Sequence, residues 1–282
     1  MATTLLGNPF FDGLAAEHRT WLSAFDAQYL VNWERILNAN EESALAEAGL
    51  RRLLRGYGAR VEPNEDLTGG ETGAEPRPDF HCESNGSSFE VEVTHISIEK
   101  ATKITGLVKD PTTNLAESPP IFTRIRPLNG AFFWACVGKA KQCADTRHPT
   151  LVAVATFHYG AAVFCFDKSD ISQLLTGLTS MRWSLDKQPG QEASEAYLIT
   201  ELQSAAFLQF DKSQGTRFAR NSISALLLCG LGARPPQVIG VLHPNPARPF
   251  DPAILPELEF GQVAIDWASR QLHVNWPNGD GE

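Results

Sequence analysis

The clearest hydrophobic pattern of the chain lies in the segment EESALAEAGLRRLLRGYG. Its leucines, from Leu45 to Leu54, fall at helical spacings, and Gly56 and Gly58 provide a stop. The pattern predicts helical structure over residues 14–57, followed by a short strand at Arg60–Glu62. The next segment, NEDLTGGETGAEPRP, is rich in glycine, proline and acidic residues, so we expect a loop there.

Alternating apolar and polar positions over Asp79–Ile98 predict a β-hairpin. Asn85-Gly86 marks its turn, because this dipeptide favours a two-residue type I′ connection. The turn sets the register: Ser84 pairs with Ser87, and every later pair has residue numbers with the same sum. Because side chains alternate faces along a strand, one face is apolar and the other is acidic. The apolar face holds Phe80, Cys82, Phe89, Val91 and Val93, and the acidic face holds Asp79, His81, Glu90 and Glu92.

The remaining pattern alternates between helical and extended segments. Lys100–Leu128 is polar with little periodicity, which predicts irregular structure, whereas Ala131–Ala144 predicts a helix and Leu151–Phe157 a buried strand. Together with the hairpin, these elements predict an α/β fold with a mixed central sheet flanked by helices. Further on, the pattern predicts a strand at Val163–Phe166, a helix at Ile171–Leu178, a loop at Lys187–Ser194, strands at Ile223–Cys229 and Val238–Leu242, and the proline-rich segment LHPNPARPFDPAILPELEF.

Length and composition are those of an ordinary globular protein. The 282 residues, 43% of them hydrophobic, are enough for one large α/β domain or for a core with an appended lobe. No apolar run approaches the roughly 18 residues that cross a bilayer. The segment MATTLLGNPFFDG does not have the pattern of a secretory signal. The five cysteines are scattered without a CxxC pair, which favours reduced thiols in a cytoplasmic protein over disulfides or a zinc site.

The net charge of −9 gives no general attraction to nucleic acid, because that binding depends on Lys and Arg side chains that neutralise phosphates. Only local basic clusters could supply it. Each cluster taken alone is more often a solvated helix face than a phosphate-binding surface. The candidate clusters are Arg51, Arg52, Arg55 and Arg60, and separately Arg217 and Arg220.

The hairpin register brings two carboxylates together. Asp79 faces Glu92 on the neighbouring strand, with their Cβ atoms about 4.5–5.5 Å apart. Like charges at this distance are destabilising unless they are compensated. A divalent cation such as Mg²⁺ would compensate them, since it commonly binds one or two carboxylates. An Arg or Lys counterion, or simple exposure to solvent, would also do so.

Pro78-Asp79 on one strand and Glu92-Val93-Thr94 on the next resemble the motif of the PD-(D/E)XK nuclease superfamily, which has the restriction-endonuclease-like fold. The predicted element order over residues 40–157 also resembles the αβββαβ core of that superfamily. The resemblance implies Mg²⁺ or Mn²⁺ held by Asp79 and Glu92, with Glu47 on the preceding helix as a further ligand. We expect an N-terminal helical extension at residues 1–39, a nuclease-like core at 40–166 and a C-terminal elaboration at 167–282 packed on the core.

The family's lysine, two residues after the acid, is replaced here by Thr94. Glu90 could be the acid instead, with Glu92 at the lysine position. Alternatively, the lysine has moved to the following helix, where Lys139 and Gln142 lie three residues apart on one predicted face, and Lys141 is a weaker candidate. His81 could contact a metal or offset the charge of Glu90. His243, in the sequence HPNP, fits a turn better than a catalytic role.

The resemblance implies hydrolysis of phosphodiesters, with DNA as the expected substrate. Whether the enzyme acts as an endonuclease or an exonuclease stays open. A catalytically degenerate nuclease fold that binds nucleic acid or protein is the main alternative, because Thr94 replaces the lysine and the chain is acidic. A hydrolase of small phosphorylated molecules is a third possibility. An active nuclease needs Asp79, Glu92 and a lysine amine close together beside an open groove.

Overall fold

The computed structural model describes residues 4–65, 77–107, 125–164, 166, 168, 171, 178–182, 197–201, 206–211, 213, 215–266 and 271–277. It is a mixed α/β structure with a large central sheet flanked by helices, as the sequence predicts.

Three helices form the N-terminal part of the chain: α1 (Pro9–Leu22), α2 (Ala27–Ala39) and α3 (Glu41–Gly56). Each helix is capped by a side chain that accepts a hydrogen bond from a backbone N–H of the first turn. The capping residues are Asn8, Asp26 and Asn40 respectively. After α3 the chain turns at Gly58, whose φ of +81° suits glycine. The predicted helical region at 14–57 is therefore three helices, of which α3 carries the leucine pattern.

The central sheet has eight strands. Its first four are β1 (Arg60–Pro63), β2 (Phe80–Ser84), β3 (Ser87–His95) and β4 (Thr150–Thr156). The later part of the chain contains β5 (Leu178–Arg182) paired with β6 (Tyr197–Glu201), β7 (Leu208–Asp211) paired with β8 (Gly215–Phe218), and then β9 (Ala225–Gly230), β10 (Gln237–Leu242), β11 (Phe260–Asp266) and β12 (Gln271–Asn275).

The strand order of the central sheet is β1-β2-β3-β4-β9-β10-β11-β12. Strands β3, β4 and β9 run parallel to one another, whereas β1-β2-β3 is an antiparallel meander and β9-β10 is antiparallel. The C-terminal part therefore contributes four strands to the same sheet that contains the hairpin. The boundaries proposed at residues 39 and 166 remain a prediction.

Helices cover both faces of this sheet. The other helices are α4 (Ile98–Thr105), α5 (Ile125–Lys139), α6 (Tyr159–Phe164) and a short 3₁₀ helix at Pro252–Ile254. Strand β4 shows the arrangement: Leu151 and Ala153 pack into the core beneath α3, while Val152 and Val154 pack into the core on the opposite face. A strand buried on both faces is apolar throughout, which explains the uniform sequence LVAVAT.

Several sequence predictions differ from the structure. The apolar run Val163–Phe166 predicts a strand, but α6 extends through Phe164, because so short an apolar run fits either element. The polar segment Lys100–Leu128 predicts irregular structure, but α4 begins after its cap Ser97, and α5 begins at Ile125. Residues 108–124 and the predicted loop 187–194 lie outside the described residues, as does most of the predicted helix 171–178.

The absence of a membrane-spanning segment and the presence of reduced cysteines can be compared with the described residues. None of their helices has the length and apolar character that crossing a membrane requires. Four cysteines, Cys82, Cys136, Cys143 and Cys229, are buried free thiols. The fifth, at position 165, lies outside the described residues. Cytoplasmic localisation remains a prediction.

Candidate functional site

The turn between β2 and β3 sets the geometry of the candidate site. Asn85 and Gly86 have φ values of +50° and +75°, the signs that a type I′ turn requires. Beyond the turn, Ser84 pairs with Ser87 and Phe80 pairs with Val91. The predicted register is thus confirmed, and so is the burial of the apolar face, whose residues all belong to the core beneath α3.

Asp79 directly precedes β2, and the register places it opposite Glu92. The backbone N–H of Val93 donates a hydrogen bond of 2.6 Å to Oδ2 of Asp79. The backbone amide of Asp79 in turn lies close enough to the Glu92 carboxylate to lower its pKa. At the predicted site, the side chain of each acid therefore contacts the backbone of the neighbouring strand. Glu92 is 1% exposed, so solvent does not compensate its charge.

Lys139, the last residue of α5, reaches Glu92 from the side of the sheet opposite α3. Its Nζ lies 2.5 Å from Oε1 of Glu92, although the two residues are 47 positions apart. Lys141 is exposed. The prediction that Gln142 shares a helical face with Lys139 is wrong, because α5 ends at Lys139 and Gln142 lies in the following turn. Within the described part of the chain, Gln142 has no hydrogen bond to Asp79 or Glu92.

Glu47 projects from α3 toward the same site and is 8% exposed. Burial raises its pKa well above the usual value, and the charges of Asp79, Glu65 and Glu92 raise it further. Glu65 is a member of the site that the sequence did not predict. It follows Asn64, whose N–H donates to the backbone carbonyl of Asp79 at 2.9 Å. Glu47, Glu65, Asp79 and Glu92 are called the acidic cluster below.

The acidic cluster is under-compensated in charge. Burial raises the pKa of Asp79 well above its usual value, and the nearby charge of Glu92 adds to this effect. Burial also raises the pKa of Glu92, although Lys139 partly opposes the change. Burial alone would lower the pKa of Lys139, but attraction to Glu92 and Asp79 outweighs it and raises the pKa. Lys139 thus offsets Glu92 and Asp79 only in part, while the charge of Arg35 lowers the pKa of Glu65.

Glu90 lies on the same face as Glu92 but has different neighbours. It pairs across the hairpin with His81, whose ring lies 5.3 Å from that of His148. Burial raises the pKa of Glu90, while His148 and His81 lower it. This placement agrees with the view that His81 offsets the charge of Glu90. Lys139 bonds to Glu92, so the structure gives Glu90 no lysine partner among the described residues.

His243 is a structural residue. Its Nδ1 accepts a hydrogen bond from the N–H of Asn245 at 2.9 Å, as expected for a turn. Burial lowers the pKa of His243 to about 4, so the imidazole is neutral at neutral pH.

Most arginines of the two predicted basic clusters interact with other groups of the protein. Arg51 is buried and pairs with Glu17, which also pairs with Arg52. Arg60 pairs with Glu62. The guanidinium of Arg220 lies over the ring of Phe133 and donates to backbone carbonyls. These arginines stabilise the fold and are therefore poor candidates for neutralising phosphates.

The donor set of the acidic cluster suits a hard cation bound by few protein ligands. Within the described ranges, no three His, Cys, Asp or Glu side chains are arranged to hold a metal ion together. Mg²⁺ does not need such a cage, since one or two carboxylates with water and substrate oxygens suffice. Oε2 of Glu92 is buried and has no hydrogen-bond partner among the described residues. The excess negative charge and this oxygen fit a cation bound by Asp79 and Glu92.

Comparison with protein-family models, curated proteins and solved structures finds no match to this chain. The resemblance to PD-(D/E)XK nucleases therefore depends on the motif residues and on the geometry of the acidic cluster.

Proposed function

We propose that this protein is a metal-dependent phosphodiester hydrolase with a restriction-endonuclease-like core, acting on DNA. The observation that carries the proposal is the contact between Lys139 and Glu92 beside Asp79 and Glu47. Three separate parts of the chain bring buried carboxylates and an amine to one place at a cost in stability. Perturbed ionisable groups concentrated in this way favour a functional site over a purely structural one.

The order of elements also supports the proposal. Helix α3 is followed by the meander β1-β2-β3, then by α5 and by β4, which is parallel to β3. The resemblance implies this αβββαβ order. Helix α4 is an addition between β3 and α5.

In the proposed mechanism, Asp79 and Glu92 would hold Mg²⁺ or Mn²⁺, and Glu47 would assist. A cation bound there would polarise the scissile phosphate and lower the pKa of an attacking water. Lys139 takes the role of the lysine that Thr94 replaces. When its bond to Glu92 is released, its ammonium can donate hydrogen bonds to the attacking water or to the charge that develops on the phosphate. Glu90 remains the reserve ligand.

A cleavage assay with Mg²⁺ and with Mn²⁺, on single-stranded DNA, double-stranded DNA and RNA, tests this proposal. We expect Lys139→Ala to lower the cleavage rate by about a hundredfold or more, as loss of a charge-stabilising donor does. Lys141→Ala is the matched control, because Lys141 is exposed two residues away, and it should cleave at the wild-type rate. If Lys139→Ala also cleaves normally, the proposed role of Lys139 is wrong.

A second candidate is a catalytically degenerate nuclease fold that serves as a binding module. Two observations favour it: Thr94 replaces the motif lysine, and the net charge of the chain is −9. If the wild-type protein cleaves none of the three substrates with either metal, this second function becomes the better one.

A further inference from the structure

A cavity of about 730 Å³ lies at the carboxyl ends of the parallel strands. Ile98 follows β3, Phe157 follows β4 and Leu231 follows β9, and all three line it. In open α/β sheets, ligands bind in the crevice outside the carboxyl ends of the strands. The volume also falls within the roughly 300–1,000 Å³ of small-molecule sites. This space, the strand-edge cavity, is lined by Leu5, Phe11, Ile98, Phe157, Leu231 and Arg234.

The walls of the strand-edge cavity are mainly apolar and aromatic. Phe11 of α1 meets Phe157 edge to face, with ring centroids 5.2 Å apart and ring planes at 90°. Tyr159 and Val163 of α6 add to the lining. Aromatic walls of this kind favour a ring-containing ligand, because aromatic pairs gain from edge and offset contacts beyond their buried area.

The loop after β9 is held firmly against the chain that follows β4. The N–H of Gly232 donates to the carbonyl of Thr156 at 3.2 Å. A Cβ at position 232 would lie 2.4 Å from the carbonyl oxygen of Phe157, so only glycine permits this approach. The backbone on this side of the cavity is therefore fixed, which reduces the ordering cost of binding.

The charge of the cavity differs from that of the whole chain. Arg234 is the one charged side chain among the described residues that line it, whereas the net charge of the chain is −9. The guanidinium of Arg234 lies 3.6 Å from the centroid of the Phe10 ring. The ion pairs of the described residues do not include Arg234. A planar guanidinium held against a ring can donate two parallel hydrogen bonds to an anion.

We propose that the strand-edge cavity binds a small aromatic organic anion. The ring system lies against Phe11, Phe157 and Tyr159, and the anionic group contacts Arg234. The polar ends of Asn8 and Gln237, which also line the cavity, give a ligand further hydrogen-bonding groups. The proposal does not depend on the nuclease function, because no residue of the acidic cluster lines the cavity.

Fluorescence titration of the full chain with two matched probes tests this inference. The first is 8-anilinonaphthalene-1-sulfonate, an aromatic anion, and the second is N-phenyl-1-naphthylamine, which has the same rings without the charge. We expect one saturable site that prefers the sulfonate. Arg234→Gln should weaken sulfonate binding by about tenfold, as loss of a hydrogen bond to a charged group does, while binding of the neutral probe stays unchanged.

Two further variants distinguish this cavity from other apolar surfaces. Val163→Trp should narrow the cavity and weaken binding of both probes, with folding checked by circular dichroism. Arg55→Gln is the matched control, because Arg55 lines a different hollow beside Trp21 and Phe25. It should bind both probes as the wild type does. If Arg234→Gln binds the sulfonate as tightly as the wild type, or Arg55→Gln weakens it instead, the proposal is overturned.

Discussion

Two ion pairs of this protein each have one buried member, and they differ in how that member is compensated. In the first, Arg51 is fully buried and its Nη2 lies 2.6 Å from Oε1 of Glu17. In the second, Glu92 is buried and its Oε1 lies 2.5 Å from Nζ of Lys139. Both pairs join residues distant in sequence. They differ in their acids: the pKa of Glu17 is lowered, whereas the pKa of Glu92 and of its acidic neighbours is raised.

Burial lowers the pKa of Arg51, and Glu17 opposes that change, whereas the charges of Arg55 and Arg52 add to it. The Nε of Arg51 donates to Nδ1 of His18 at 3.2 Å, and its guanidinium lies over the ring of Trp21. Burial and the charge of Arg51 lower the pKa of His18 to about 3, so the imidazole stays neutral and accepts that bond. Burial opposes the charge of Glu17, yet the bonds from Arg51 and Arg52 outweigh it and lower the pKa of Glu17. This pair stabilises the packing of α1 on α3.

Burial raises the pKa of Glu92, and Lys139 opposes that change only in part. The charge of Glu92 raises the pKa of Asp79, Glu65 and Glu47. Oε2 of Glu92, like Nη1 of Arg51, is buried and has no hydrogen-bond partner among the described residues. The comparison teaches that burial of an ion pair does not by itself indicate function. The distinguishing feature is an excess of like charge, which a ligand can relieve and which natural proteins tolerate where function requires it.

The largest effect on stability is expected for the compensated pair. Glu17→Ala should lower the free energy of unfolding by about 3 kcal/mol, because it leaves the buried charge of Arg51 without its carboxylate. Glu34→Ala is the matched control. It breaks the Arg19–Glu34 pair, in which both side chains are partly exposed, and should cost less than about 1 kcal/mol. Urea denaturation of both variants measures the difference. Equal losses would show that the burial of Arg51 does not distinguish the two pairs.

The next largest effect on stability is expected from metal binding at the acidic cluster. Mg²⁺ or Mn²⁺ should stabilise the protein by about 2.7 kcal/mol at a hundred times the dissociation constant. The double variant Asp79→Asn with Glu92→Gln should lose this increment, whereas Glu17→Ala should keep it. Thermal melts with and without metal give the measurement. Equal responses in the wild type and the double variant would place the metal site elsewhere.

The hairpin geometry could be predicted from sequence because two independent signals agree. Asn85-Gly86 specifies the turn, and the period-two pattern of Phe80 and Val91 specifies the face. A slip of one residue would turn the apolar face to the wrong side, so the register has one solution. The resemblance supplied Glu47 and Lys139 as candidates, and the structure brings both toward Asp79 and Glu92.

Other parts of the site carried no usable sequence signal. Glu65 lies in a segment that has loop composition, and only the pairing of β1 with β2 brings it near Asp79. The pattern predicts a helix that includes Gln142, but α5 ends three residues earlier, at Lys139. Helix ends are the least certain part of a periodic pattern. The apolar run in α6 was too short to separate helix from strand. These outcomes depend on tertiary packing.

The smallest expected effect comes from the charge of Glu47. Its pKa is raised in the folded protein above the usual 4.5, so the folded state binds more protons than the unfolded state. Stability should therefore fall as the pH rises from about 4.5 through the folded pKa. Glu47→Gln removes the charge and should stabilise the protein by about 1 kcal/mol at pH 8, with no gain at pH 4. Glu257→Gln, at an exposed position, should change stability by less than about 0.5 kcal/mol at both pH values. Urea denaturation at the two pH values gives the comparison. A loss of stability in Glu47→Gln at pH 8 would show that the acidic cluster is compensated after all, as the Glu17–Arg51 pair is.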